Sequence, residues 1–340
     1  MTYLSNIYDE QGYIDIKSIR RIPHTFLFIF SARGTGKTYP VSLDLIENNI
    51  SFIYMRRTES ELFECANEAL NPFNKLNIDR NYDISLKKIK GSKHVCSITN
   101  EDNVIGVGVA LSTIHSIRGF DASYYTTLFY DEAVPQPNVR SMKGEEEAIL
   151  HAYETCNRNR ELEGLPAMEF IAVGNSDNLD ASIFSAFGLH TIIEQLINSG
   201  EEIYINEDKG LIVLYPQKSP ISEQKKVTAL YKIANSDTFV DVAIKNKFVQ
   251  EGFFSLIKNV PLSEYVLFVS TNQFRIFRHK SFNRYYVDEA KGLPDIVLNM
   301  YNLPKFYQKY IYLADAFERG KIQFKNYSIL HNFKKIFIDT

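Results

Sequence analysis

Apolar residues along the chain fall in short unbroken runs separated by amphipathic stretches. TFLFIF (25–30), SFIYM (51–55), YTTLFYDEA (125–133) and MEFIAVGNSDN (168–178) are continuous rather than alternating. That pattern predicts strands buried on both faces. Between them the spacing predicts helices over 38–49, 58–70 and 144–157. In the second of these, Leu62, Phe63, Ala66 and Leu70 recur on one face. The third opens with Glu145, Glu146 and Glu147, where the helix dipole favours negative charge. Residues 93–112 read as two or three short strands broken by N-E-D-N. Strands alternating with helices predict an α/β unit: a parallel sheet with helices on both faces.

After residue 180 the pattern changes. A helix over 181–199 gives way to short strands at 202–205 and 211–215, then to Pro216, Pro220 and SEQKK. Further strands are expected at 238–243, 265–270, 273–279 and 284–288, with STN (270–272) as a tight turn. Helices are expected at 303–318 and 328–337. The expected organisation is a first domain over 1–198, a linker region over 199–230 and a small α+β domain over 231–340. A chain of 340 residues accommodates two domains.

Composition narrows the class. With 45% hydrophobic and 23% charged residues, the chain is an ordinary globular one. No stretch approaches the roughly 18 apolar residues that span a bilayer, and MTYLSNIYDEQG lacks the basic-then-apolar build of a signal peptide. No membrane partner is expected. Cys65, Cys96 and Cys156 are far apart and form no CxxC pair, so reduced thiols are expected rather than a disulfide framework or a zinc ribbon. The first 200 residues hold 18 Lys/Arg against 26 Asp/Glu, and the remainder holds 20 against 15. The basic surplus at the C-terminal end is a weak pointer to a polyanion partner.

The chemistry concentrates in two places. SARGTGKT, Ser31 to Thr38, lies between the first apolar run and a predicted helix. It departs from G-x-x-x-x-G-K-[ST] only where Ser31 replaces the first Gly. A phosphate loop needs converging backbone N–H groups, a Lys reaching the β and γ oxygens, and a hydroxyl for Mg²⁺. Ser31, Ala32, Arg33, Gly34, Thr35 and Gly36 would form the cradle, Lys37 the charge and Thr38 the hydroxyl. An ordinary glycine turn is the alternative. LFYDE, Leu128 to Glu132, argues against it, because an apolar strand here ends in two carboxylates. In nucleotide hydrolases with this pairing the first acid, Asp131, completes the Mg²⁺ shell and the second, Glu132, polarises the attacking water. The adjacent Glu points to the additional-strand, catalytic-glutamate class of ATPases. ATP and Mg²⁺ are the expected cofactors. In CNRNRELEG one Arg would either reach a neighbouring subunit's γ-phosphate or bridge Glu161 or Glu163. Asn175 would either sense a γ-phosphate or cap a loop, and Arg118 would be a second trans-acting cation or a turn residue.

FIFSARGTGKTY, FIYMRRTESEL, TTLFYDEAV, NRNRE and FIAVGNSDN, in this order and spacing, resemble the DNA-packaging ATPases of small short-tailed bacteriophages. These are compact relatives of the large terminase subunits. The motifs cover residues 25–180, and FIYMRR with NRNRE is the most distinctive pair. The resemblance implies a P-loop ATPase followed by a small α+β domain similar to RNase H-type nucleases. It also implies a homomeric ring, typically of five subunits, at the portal vertex of an empty capsid in the host cytoplasm. The ring drives double-stranded DNA inward, and in the best-known relatives a packaging RNA tethers it. By matched position, Lys37 and Thr38 bind phosphates and Mg²⁺, Asp131 holds the metal and Glu132 is the base. Arg158 matches the trans-acting finger, Arg118 a cation acting across the interface, and Arg33 an Arg common in packaging ATPases.

On its residues alone the tail is expected to differ from a working nuclease. An RNase H-type site needs three or four carboxylates around two metals. The opening strand EYVLFVS has Val and Ser where an Asp is expected, and Asp288, Glu289 and Asp295 read as turn residues. A vestigial nuclease that does not cut is therefore expected. Phe274, Phe277, Tyr285 and Tyr286, if exposed, would grip nucleic acid; otherwise they are core. Competing readings are a terminase-like ATPase with a working nuclease and a nucleotide-switched nucleic-acid adaptor. KKIKGSK, Lys87 to Lys93, is either a pore loop or a solvated hairpin end.

Overall fold

In the computed structural model the unbroken apolar runs form the centre of one nine-stranded sheet. The structure describes residues 6–32, 35–117, 121–136, 139, 142–176, 178–217, 220, 256 and 260–338. The chain divides into two units, Met1–Val249 and Gln250–Thr340.

The strands of the first unit are β1 (Phe26–Ser31), β2 (Phe52–Arg56), β3 (Ile84–Lys88), β4 (Val95–Asn100), β5 (Asn103–Ala110), β6 (Thr127–Tyr130), β7 (Glu169–Asn175), β8 (Ile203–Asn206) and β9 (Leu211–Leu214). Their order is β3-β4-β5-β2-β6-β7-β1-β9-β8. The pairings from β5 across to β9 are all parallel. Antiparallel pairs extend the sheet at both sides: β3–β4 and β4–β5 at one, β8–β9 at the other. The parallel expectation thus holds for the centre, where every residue of β2 and β6 is buried. Strands at both edges add the antiparallel part, and β9 pairs directly with β1.

The helices are α1 (Ile16–Ile19), α2 (Thr38–Glu47), α3 (Glu59–Glu64), α4 (Asn74–Arg80), α5 (Glu145–Asn157), α6 (Ser182–Ala186) and α7 (His190–Ser199). The single helix expected over 58–70 is shorter. A Thr58–Glu61 capping box starts α3, but a separate turn begins at Glu68, where Asn67 Oδ1 accepts the Ala69 N–H at 3.0 Å. An Asn that captures backbone donors competes with helix continuation. The helix expected over 181–199 likewise divides into α6 and α7. Among the described residues no helix is long and apolar enough to cross a membrane.

The N-terminal edge of the sheet is locked by a largely buried polar network. Glu169 opens β7, and its carboxylate pairs with Arg20, which also pairs with Asp44 of α2. His24 Nε2 lies 3.0 Å from Glu169 Oε1, and the Thr127 hydroxyl donates to Oε2 at 2.9 Å. Burial pushes the Glu169 carboxyl up, but hydrogen bonds from His24 and Arg20, together with their charges, outweigh it and hold the pKa at about 2.

The second unit is a four-stranded sheet with three helices among the described residues. Its strands are β10 (Tyr265–Ser270), β11 (Phe274–His279), β12 (Tyr285–Glu289) and β13 (Ile322–Phe324); its helices are α8 (Leu303–Tyr310), α9 (Tyr312–Glu318) and α10 (Tyr327–Phe337). The first three strands pair antiparallel, and β12 pairs with β13 parallel. Thr271 makes the expected turn, its hydroxyl accepting the Phe274 N–H at 3.0 Å. The four rings considered as a nucleic-acid platform do not form one. Phe274, Tyr285 and Tyr286 are buried core residues, and Phe277 is half-buried beside the Arg275 guanidinium. Asp288 and Glu289 are also not turn residues but the end of β12. Asp288 pairs with Lys325 at 3.0 Å and Arg275 at 3.3 Å. Burial raises its pKa, but these cations outweigh that and leave it lowered. Asp295 sits in an exposed bend. The strand expected at 238–243 lies outside the described residues.

Candidate active site

Parallel strands deliver their C-terminal ends to one edge of a sheet, where open α/β folds bind ligands. Four neighbours, β2, β6, β7 and β1, place Arg56, Asp131, Asn175 and Ser31 there. Register aligns them: Met55 pairs with Tyr130, Tyr130 with Ala172, and Ser31 with Asn175.

The loop after β1 turns on Gly36, whose φ of +81° suits glycine. Thr35 is buried inside the loop, its hydroxyl donating to Ala32 O at 3.1 Å and meeting the Ser31 hydroxyl. Ser31 therefore contributes a side-chain tie within the loop, which a Gly there would lack. Lys37 caps the start of α2 and is buried. Its Nζ donates to Ser31 O at 3.1 Å, Ala32 O at 2.9 Å and Asn175 Oδ1 at 3.0 Å. Thr38, the first residue of α2, donates its hydroxyl to Asp131 Oδ1 at 2.9 Å. Arg33, Gly34 and Arg118 lie outside the described residues.

Asp131 is nearly fully buried, and its Oδ2 accepts the Tyr54 hydroxyl at 2.7 Å. Glu132 follows with φ +54°, uncommon for a residue with a side chain. Its carboxylate is mostly exposed and ion-pairs with buried Arg56. Arg56 Nη1 also lies 3.5 Å from Asp131 Oδ2. Burial opposes the Arg56 charge, but Tyr54, Asp131 and Glu132 outweigh it and raise its pKa. Behind the acidic pair, a Cβ on Gly174 would lie 2.6 Å from Val134 Cγ2, so the Asp-Glu turn packs onto β7 only because residue 174 is Gly. A cavity of about 290 Å³ is lined by Gly36, Lys37, Thr38, Asp131, Glu132 and Asn175 among others.

Tyr54 and Arg56 carry no individual role in the sequence reading. Both belong to FIYMRR, and alternation along a strand puts them on one face. A Tyr and an Arg two apart at the end of a wholly apolar strand are the signal that could have found them. The next residue, Arg57, grips Glu145 at the start of α5, with Nε–Oε1 at 2.5 Å and Nη2–Oε2 at 3.2 Å.

The opposite end of α5 carries NRNRE. Arg158 is exposed and lines a different recess of about 320 Å³ with His115, His151 and Thr155. The structure does not bring it together with Lys37 and Asp131. Arg160 donates to Pro166 O at 3.0 Å and Ser123 O at 3.2 Å. Lys87, Lys88, Lys90 and Lys93 are exposed at the end of the β3–β4 hairpin.

The donors gathered around Thr38 and Asp131 are hard oxygens, the set that suits Mg²⁺. Lys37 and the N-terminus of α2 suit an anion. Glu132 supplies a carboxylate beside both. Among the described residues no group of three or more His, Cys, Asp or Glu is disposed to hold a metal by itself, so an ion at Asp131 would depend on Thr38 and on ligand oxygens.

A family model described as podovirus DNA encapsidation protein (Gp16) matches residues 9–338. Among solved structures, the fold is similar to the phage Phi-28 gp11 DNA packaging motor, with TM-score 0.64 and 16% identity over 96% of this chain and 97% of that one. It is also similar to the packaging motor assembly of bacteriophage Phi-29, with TM-score 0.62 and 16% identity over 95% and 97%. No curated protein matches the chain.

Proposed function

The chain belongs to the podovirus DNA encapsidation protein (Gp16) family, and on that premise we propose that it is an ATP-hydrolysing motor subunit that drives double-stranded viral DNA into a preformed capsid. The observation that carries this reading is the 2.9 Å contact between Thr38 Oγ1 and Asp131 Oδ1, beside Lys37. It joins the two motifs that nucleotide hydrolysis requires, although they lie far apart in sequence.

In this reading SARGTGKT is a phosphate-binding loop. Lys37 and Asn175 exchange their mutual contact for phosphate oxygens, which lets Asn175 report an occupied γ position. Thr38 and Asp131 would hold Mg²⁺, which when bound neutralises charge on the phosphates. Glu132 accepts the proton of the attacking water. Arg56 holds the Glu132 carboxylate at the rim of the cavity, and Tyr54 keeps Asp131 oriented. Arg158, exposed and in a separate recess, serves the nucleotide of a neighbouring subunit, which requires a homomeric ring. A ring of five at the portal vertex of a procapsid in the host cytoplasm, with a packaging RNA as tether, follows the family pattern. The pairing of Asp288 with two cations supports a second unit that does not cut DNA.

Glu132→Gln tests the assignment. It is expected to keep ATP binding and to lower hydrolysis by about 10²–10⁴-fold, the usual contribution of a positioned base. Hydrolysis at the wild-type rate would overturn the base role of Glu132.

A further inference from the structure

Arg158 has an unusual backbone. It follows the last residue of α5 with φ +48° and ψ −129°, a region that favours glycine and that a side chain occupies only when its surroundings impose it. Such outliers concentrate at functional positions. The imposing contacts come from the neighbouring residues of NRNRE. Asn157 is buried; its Oδ1 accepts the Met168 N–H at 2.7 Å and its Nδ2 donates to Glu161 Oε2 at 3.1 Å. Arg160 reaches backbone carbonyls on two separate segments, Pro166 O through Nε at 3.0 Å, and Ser123 O and Tyr125 O through Nη1 at 3.2 and 3.5 Å. The Arg158 N–H still donates to Glu154 O at 2.8 Å, so the helix is intact up to the strained residue. Its side chain then leaves the helix end exposed.

We propose that Asn157, Arg160 and Glu161 are positioning residues that hold Arg158 in this strained geometry and so aim its guanidinium at the nucleotide of a second copy of this chain. The inference rests on the reading of Arg158 as a trans-acting residue. The two arginines of NRNRE then differ in role, Arg158 being presented and Arg160 structural. A flexible Arg on a relaxed turn would reach the same space but would lose conformational entropy each time it met a phosphate. The clamp completes that ordering during folding.

Mixed assemblies test this. Arg160→Lys keeps the charge but cannot span both segments. It is expected to bind an ATP analogue like wild type and to hydrolyse ATP at least 10-fold more slowly. Mixed with Lys37→Ala subunits, which carry an intact Arg158, it should regain activity, as should Arg158→Ala mixed with Lys37→Ala. A subunit merely damaged in its own site would not be rescued by its neighbour. If Arg158→Ala is rescued but Arg160→Lys is not, or if Arg160→Lys hydrolyses at the wild-type rate, the positioning proposal fails and the trans reading stands. If Arg158→Ala is not rescued at any ratio, the trans reading fails and takes the proposal with it. Asn157→Asp, which preserves the acceptor for Met168 N–H, gives a second variant should Arg160→Lys fold poorly.

Discussion

Glu169→Gln should separate the stability of the first unit from its chemistry. Glu169 sits at the N-terminal edge of β7, at the opposite end of the strand from Asn175. Its pKa falls from an ordinary 4.5 to about 2. A depression of this size corresponds to about 3 kcal/mol favouring the folded state at neutral pH, at about 1.4 kcal/mol per pKa unit. Because the folded pKa lies below the unfolded one, that stabilisation is fully present above pH 4.5 and is lost as pH falls toward 2. The Gln variant keeps the shape but removes the charge that Arg20 and His24 face. For a unit of this size, about 3 kcal/mol lowers the melting temperature by roughly 6–12 °C at pH 7. The assay is thermal unfolding of wild type and variant at a series of pH values from 7 down to 3, in one salt concentration. The difference between the two should be largest at pH 7 and shrink steadily below pH 4.5. A difference that is the same at pH 7 and pH 3 would show that packing or lost hydrogen bonds, rather than the Glu169 charge, hold that edge, and the reasoning from its pKa would be refuted.

Two further outcomes follow from backbone geometry. Gly174→Ala should destabilise by about 1–3 kcal/mol through overpacking against Val134 and lower ATP turnover by displacing the Asp131–Glu132 turn; adding Val134→Ala, which removes the 2.6 Å contact with Cγ2 but keeps Cβ and the backbone N at 3.0 and 3.1 Å, should restore part of both in unfolding and hydrolysis assays, and no gain at all would mean that the Cγ2 clash is not the cause. Arg158→Gly should be more stable than Arg158→Ala by about 1 kcal/mol, because Gly relieves the strained φ, while both variants lose hydrolysis equally; equal unfolding midpoints would remove the case for strain.

Much of this protein was legible in its sequence because its central strands are continuous apolar runs. Burial on both faces leaves no alternation to confuse them, and polar residues at their ends stand out: Ser31, Asp131 and Asn175 each close such a run. Gly36, Lys37 and Thr38 stood out for a different reason, since their spacing is the one the proposed phosphate-binding role would require, and the fold brings Thr38 to Asp131. The break of the 58–70 helix was hidden because apolar periodicity continues through Asn67, whose side-chain competition for a backbone donor is a local effect that periodicity does not register.

What only the tertiary structure decided is which distant residues share a contact. That β9 pairs with β1, that Arg56 meets Glu132, and that Arg57 ties the same strand to Glu145 are consequences of strand order and register. Those depend on pairing energies summed over residues far apart in the chain. The same holds for the two arginines of NRNRE. Residue type alone does not distinguish them, whereas in the fold Arg160 bonds the carbonyls of Ser123 and Pro166 and Arg158 is exposed. Sequence determined the chemical parts because reactivity resides in residue types; the fold assigned their roles because orientation resides in neighbours.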